Sequence, residues 1–239
     1  ASDVYKRQLL NDLSCFGKCS LSVAMPILSA CGVETVPLPT VILSTHTASG
    51  FGDYVMRDMT DEMKAFAAHW KKLDVKFDGI CTGFFASAEQ IRFAESFLRD
   101  FGGEDTLIVV DPVLGDNGAL YGCFSEEYVQ AMRTLCKAAR LITPNHTEAA
   151  LLAGCSMDTD VNELLEKLPV ENVIITGVRR GEEIGYCARL DGEYTEIFRP
   201  CIPQTLHSTG DVFAAALCGA LMNGKTMPRA LEDLSLIHI

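Results

Sequence analysis

Short β-branched runs alternate with longer stretches of helical periodicity almost from one end of this chain to the other, and that alternation most restricts what it can fold into. Each helix carries the chain back to the same end of a sheet, so successive strands lie parallel. The pattern predicts strands at residues 40–43, 79–82, 106–111, 141–143 and 172–176. Helices are expected at 20–31, 60–73, 87–101, 125–139, 147–152, 160–168 and 211–222. Ser87 with Gln90, and Asp160 with Glu163, have capping-box spacing at two helix starts. After residue 176 the pattern changes: residues 184–190 and 194–198, joined by Asp191-Gly192-Glu193, predict an antiparallel hairpin at the sheet edge. No linker, repeat or low-complexity tract interrupts the chain. Residues 1–239 therefore read as one α/β domain, with ligands expected at the carboxyl edge of the strands.

Composition narrows the function. A hydrophobic fraction of 48% with 22% charged residues belongs to a globular chain, and 20 Lys+Arg against 32 Asp+Glu give a net charge of −12. Such a surface repels nucleic-acid backbones and anionic lipid, and no Lys/Arg run offsets it. A nucleotide is not excluded, because main-chain amides, a helix N-terminus or a metal ion can neutralise phosphate locally. Ten cysteines scattered singly through apolar stretches suit a reduced, cytoplasmic protein. Cys15 and Cys19 form a C-x3-C pair without the further ligands of a zinc site. No secretory h-region follows Lys6-Arg7, and no apolar run is long enough to span a membrane.

Gly219-Ala-Leu-Met-Asn-Gly224-Lys225-Thr226 matches the P-loop expression, but it follows a helix-forming Ala-rich stretch where a P-loop needs a strand before it and a helix after it. Gly224 reads as a helix C-cap, and Pro228 is expected to stop the helix. Just upstream, His207-Ser208-Thr209-Gly210-Asp211 opens the Ala-rich helix. Free amides there suit a transferring phosphoryl group, and Asp211 suits proton abstraction from a hydroxyl; a plain N-cap would use the same letters. Asp111-Pro-Val-Leu-Gly-Asp116 puts carboxylates after a strand, where they could hold hydrated Mg²⁺ or simply form a turn. Thr143-Pro-Asn145-His-Thr-Glu148 is open between a capping box and a polar pair facing metal and phosphate. Asn11-Asp-Leu-Ser14-Cys-Phe-Gly17-Lys-Cys-Ser20 reads as a polar turn before a helix, and Ser44-Thr-His46-Thr47 follows a strand. Both could line a small-molecule pocket, with His46 taken alone more ordinary as a loop or core residue.

These motifs, in this order over residues 11–230, resemble the ribokinase-like superfamily and within it the pyridoxal kinases. The resemblance implies transfer of the γ-phosphoryl of ATP to the 5′-hydroxyl of a B6 vitamer, with Asp211 as base and an anion hole at Ser208, Thr209 and Gly210. It places Asp111, Thr143, Asn145, Glu148, Thr176 and Gly177 on the ATP side, and Asp111, Asp116 and Glu148 at Mg²⁺, partly through water. Ser14, His46, Thr47, Phe84 and Asp211 would meet the vitamer. A homodimer and K⁺ activation are further implications. Hydroxymethylpyrimidine kinase is the alternative enzyme, and a vitamer-binding domain without turnover is the non-catalytic one. Against the family pattern, Ser208 stands where Gly is usual and Phe84 where Tyr is frequent. Residues 1–8 are polar where the first strand should be apolar. Residues 235–239 end before the family's last helices, so the expectation is a truncated C-terminus and an incomplete adenine pocket.

Overall fold

The computed structural model describes residues 5–47, 50–202 and 208–234. The chain runs β1 (Lys6–Phe16), α1 (Leu21–Ala30), β2 (Glu34–Thr45), β3 (Met56–Asp58), α2 (Thr60–Lys72), β4 (Gly79–Thr82), α3 (Ala88–Phe101), β5 (Leu107–Val110), then a small β6 (Gly115–Asp116) and β7 (Ala119–Leu120) pair. It continues through α4 (Glu126–Cys136), β8 (Leu141–Ile142), α5 (His146–Ala153), α6 (Val161–Lys167), β9 (Asn172–Arg180), β10 (Glu183–Leu190), β11 (Glu193–Pro200), α7 (Thr209–Met222) and α8 (Met227–Leu234). The nine-stranded sheet has the order β11-β10-β9-β8-β5-β4-β1-β2-β3. Strands β9, β8, β5, β4, β1 and β2 are mutually parallel; β3, β10 and β11 bring the antiparallel pairings.

Apolar residues pointing to both sides of the sheet build two cores. One packs α2 to α6 against it through residues such as Leu10, Ile80, Phe97, Met132 and Leu164. The other packs α1, α7 and α8 through Leu9, Leu28, Val109, Ile174, Phe213 and Leu231. Helices on both faces are what a parallel sheet needs, since both of its surfaces are apolar. The edge hairpin forms as expected, and Asp191 and Gly192 both take positive φ, 50° and 84°, in the turn between β10 and β11.

Several expectations need correction. Residues 11–14 belong to β1 and not to a turn; pairing with β2 outweighs the poor strand propensity of Asn and Asp. The β1–β2 register shifts between Asn11 and Leu13, a bulge that re-aims the intervening Asp12. Strand β2 begins six residues before the expected residue 40, at Glu34, and contains Pro37 and Pro39; its outer side pairs with β3 only from Val41, which leaves room for residues that cannot donate. Pro228 lies in the first turn of α8, where a missing N–H costs nothing, and so opens a helix. Gly224, at φ 77°, follows the end of α7 as read from the sequence. Ser87 accepts from the Gln90 amide at 3.3 Å, but the Gln90 side chain turns to Ala86. Asp160 caps through Asn162, while Glu163 pairs with Lys167. None of the ten cysteines forms a disulfide, and no helix among the described residues is long and apolar enough to cross a membrane.

Candidate active site

The chain leaves β1 toward β2 on one side and later fills β4 on the other, so the β1/β4 boundary is where strand order reverses. Open α/β sheets bind ligands at the carboxyl end of that boundary. There the segments after β4 and β5 and the N-terminus of α7 meet the end of β1. Asn11, Thr82, Asp111 and Asp211 line a small cavity of about 20 Å³, enough for one water-sized group. The Thr82 hydroxyl is buried with no protein partner, a polar atom left for a ligand or water.

Asp211 is the third residue of α7, and the main-chain N–H of Ser20 donates to its Oδ2 at 2.9 Å. Burial pushes its carboxyl up to about 6, with the Asp12 charge adding to the rise; the Ser20 N–H and the Asn11 side chain oppose it. A carboxyl poised there can take a proton near neutral pH. Thr209 and Gly210 are exposed, and a side-chain carbon built on Gly210 would meet nothing within 4 Å, so the space over the helix N-terminus is open. Ser208 sits at φ 62° and does not cap α7; its hydroxyl donates to the Lys18 carbonyl at 3.2 Å. His207 lies outside the described residues.

On the nucleotide side, Asn145 and Glu148 form a complete capping box at the start of α5. The Asn145 amide also donates to the Gly115 carbonyl at 2.9 Å, and Glu148 accepts from the Asn145 and Leu114 amides. The structural and ligand-facing readings of N-x-x-E thus merge: both side chains are committed to the fold, and Glu148, 5% exposed, can reach a cation only through spare lone pairs or water. Burial pushes Glu148 up to about 8, while burial and the nearby Glu148 and Asp211 charges push Asp111 well above the ordinary range. Thr143 is buried next to Asp111. Thr176 bridges to Asn145 across the sheet edge, and Gly177 follows at φ 68° with open space over it. Asp116 departs from the expectation: it is exposed and its two oxygens accept from the Asn117 main chain and side chain. Among the described residues no three acidic, His or Cys side chains converge as a direct metal set, so Asp111, Asp116 and Glu148 do not form one. The oxygen donors of Asp111 and Glu148 nevertheless fit Mg²⁺, which keeps waters and takes few protein ligands.

On the substrate side, Phe84 is partly exposed beside Phe124, with ring centroids 5.8 Å apart, and Phe124 stacks on Tyr128. This is a flat apolar wall suited to a planar ring. Thr47 is exposed after β2; His46 is partly exposed and meets Phe51 edge-on. Ser14 differs from expectation. It is 2% exposed and donates to Asp12 at 3.1 Å, so its hydroxyl braces a carboxylate.

Sequence reasoning passed over Asn11, Asp12, Ser20 and Gly83 as individual residues. Asn11 Oδ1 accepts from the Phe84 amide at 2.8 Å and from the Asp12 amide at 2.9 Å, tying the aromatic wall to β1. Gly83 makes room: a side-chain carbon there would lie 2.4 Å from Asn11 Nδ2. Gly83→Ala should lower stability by about 1–3 kcal/mol and weaken ring binding as Asn11 is displaced. Thermal denaturation with vitamer titration checks this, and unchanged values would mean Asn11 moves aside freely.

A sheet of this order with a buried carboxylate at a helix N-terminus facing acidic strand ends defines a kinase of the ribokinase-like superfamily. A family model for phosphomethylpyrimidine kinase matches residues 31–234, and the chain belongs to that family. A Bacteroides thetaiotaomicron protein described as a phosphomethylpyrimidine kinase and crystallised with pyridoxal is 39% identical, with a TM-score of 0.91 over 98% of this chain and 86% of that one. Pyridoxal kinase from Lactobacillus plantarum is 34% identical, also with a TM-score of 0.91, over 98% and 86% of the two chains. A pyridoxine/pyridoxal/pyridoxamine kinase of Bordetella avium is 26% identical over 92% of this chain and 78% of that protein.

Proposed function

We propose that this kinase transfers the γ-phosphoryl of ATP to the 5′-hydroxyl of pyridoxal, pyridoxine or pyridoxamine. The observation that carries the reading is Asp211, a carboxylate raised by burial and fixed at the open N-terminus of α7, on the same strand edge as the Phe84 wall. The vitamer ring lies against Phe84, with Thr47 and His46 closing over it. Asp211 takes the hydroxyl proton, the alkoxide oxygen bonds to the γ-phosphorus, and the bond to the β-phosphate oxygen breaks to release ADP. The amides of Ser208, Thr209 and Gly210 face the charge that develops on the phosphoryl oxygens. Mg²⁺, when bound through Asp111, Glu148 and water, supplies further charge neutralisation. Thr143, Asn145, Thr176 and Gly177 shape the nucleotide side.

The family model's description, together with relatives named hydroxymethylpyrimidine/phosphomethylpyrimidine kinases, favours hydroxymethylpyrimidine as a second acceptor. Incubation with Mg-ATP and, separately, pyridoxal, pyridoxamine and hydroxymethylpyrimidine should give phosphorylated B6 vitamers at the highest kcat/KM. Product from the pyrimidine alone would transfer the assignment to it, and binding without product would leave a vitamer binder. The free cysteines support a cytoplasmic setting. Exposed Tyr54, Val55 and Met56 on and before edge strand β3 are where we place the contact of a homodimer.

A further inference from the structure

Two cysteines that belong to no motif meet on the α7 side of the sheet. Cys81 lies on β4 and Cys218 on α7, 137 residues apart in the chain, and their sulfurs are 3.7 Å from each other. Cys81 is partly exposed and lines the small cavity together with Asn11, Asp111 and Asp211. Cys218 is fully buried, two turns along α7 from Asp211 and on the same face of the helix.

Contact between two core thiols is by itself ordinary packing, because free cysteine behaves as a small apolar residue. What sets this pair apart is the cation beside it. Arg7 pairs with Gly79 in the β1–β4 ladder, as Leu9 pairs with Cys81, so the Arg7 and Cys81 side chains point to the same side of the sheet, the side that α7 covers. Arg7 is fully buried, and none of its guanidinium nitrogens has a hydrogen-bond partner. A side-chain carbon on Gly79 would come 2.9 Å from Met222 Sδ of α7 and 3.1 Å from Arg7 Nη1, so the guanidinium sits where β4 meets α7. An unpartnered buried cation is costly, and a thiolate from the pair would balance it. The Cys218 hydrogen bond and then the Arg7 charge lower the Cys81 thiol, against burial, to about 6. Thiolates in electropositive, partly exposed surroundings are the reactive ones.

We propose that Cys81 and Cys218 form a peroxide-responsive pair, in which Arg7 favours the Cys81 thiolate and a disulfide between β4 and α7 slows phosphoryl transfer. The Cys81 thiolate sulfur attacks one oxygen of hydrogen peroxide; the O–O bond breaks, leaving a sulfenic acid and a hydroxide that takes up a proton to become water. The Cys218 sulfur then attacks the Cys81 sulfur. The S–S bond forms and the S–O bond breaks, the hydroxyl leaving as water with the Cys218 proton, so two thiols are oxidised while one peroxide is reduced to two waters. Closure brings the sulfurs from 3.7 Å to about 2.0 Å, so β4 and α7 must give by roughly 1.7 Å between them. Asp211 rides on α7, and small misplacement of a reacting group can cost up to about 100-fold. The disulfide stands independently of the activity; its effect on turnover rests on Asp211 being the base.

Reduced, desalted protein treated with hydrogen peroxide, blocked with N-ethylmaleimide, digested and mapped by mass spectrometry should yield a Cys81–Cys218 linked peptide. In step with that peptide kcat should fall at least roughly 10-fold, and dithiothreitol should restore it. The loss should be absent from the Cys81→Ala/Cys218→Ala double variant, measured against its own untreated rate. Cys218→Ala should form no link and carry a dimedone label at Cys81 instead. Arg7→Met should form the link at least about threefold more slowly at pH 7, because its Cys81 keeps the proton. No linked peptide, a link that leaves kcat unchanged, an equal loss in the double variant or an unaltered rate in Arg7→Met would overturn the proposal. If the double variant does not fold, the parent's peptide map decides, since a different linked pair appearing in step with the loss overturns it equally. The link is mapped without turnover, so failure of the B6 reading shows separately, as absent product from the vitamers in untreated protein.

Discussion

Asp211→Asn should lower kcat by about three orders of magnitude and leave ATP affinity within roughly twofold of the parent, as loss of a general base acts on the transition state. Asn keeps the shape of Asp and can still accept from the Ser20 amide, so the geometry of 2.9 Å at the α1 start survives while proton acceptance does not. The pH profile gives an independent check. Burial pushes Asp211 up to about 6, and a general base acts as the carboxylate, so on the proposed mechanism activity should be full above that value and fall as pH drops through it. The parent should therefore show an acid limb in kcat/KM centred near pH 6, and the residual activity of Asp211→Asn should lack it. Collapse of ATP affinity in the variant, measured by equilibrium binding, would instead make Asp211 a structural anchor between α7 and α1.

The helical and parallel-strand layers were legible because both rest on local periodicity, and the starts of α3 and α6 were marked by Ser87 and Asp160 at their N-caps. Asp211 and Gly210 entered the candidate site through the family resemblance, because the same letters taken alone serve equally as a plain N-cap. What local pattern could not reveal depends on contacts far apart in the chain. Asn11 and Asp12 look like turn residues until β1 runs on past its pairing with β4 and continues alongside β2. Ser14 and Asn145 carry ligand-facing chemistry in the sequence, yet their polar atoms are taken by Asp12 and Gly115, partners 2 and 30 residues away. Asp116 stands where a metal ligand was expected, but its own turn claims it. Ser20 read only as the end of the first motif and the start of a helix, and its main-chain contact with Asp211 spans 191 residues.

Arg7→Met should stabilise the fold, and by more than any surface change. Residue 7 sits inside β1, the strand flanked by β2 and β4, and is fully buried on the core face shared with α7. None of its three guanidinium nitrogens has a hydrogen-bond partner, and its side chain lies over Gly79, where an added carbon would come 3.1 Å from Nη1. Among the described residues the charge is met by the sulfur pair of Cys81 and Cys218, 3.7 Å apart; the Cys218 hydrogen bond and the Arg7 charge together pull the Cys81 thiol down to about 6. A cation is thereby taken out of water against two soft, weak acceptors, and such a group costs several kcal/mol that packing cannot recover. Methionine replaces the aliphatic stem of arginine without the guanidinium and suits an irregular core gap, and without the cation Cys81 simply keeps its proton, so no charge is stranded. The substitution should add about 2–4 kcal/mol. For a chain of this size that raises Tm by roughly 5–10 °C, readable by calorimetry. A lower Tm would show that the guanidinium and the Cys81 thiolate act as a net stabilising pair. The polar start of the chain, which conflicts with an apolar central strand, would then have an electrostatic reason.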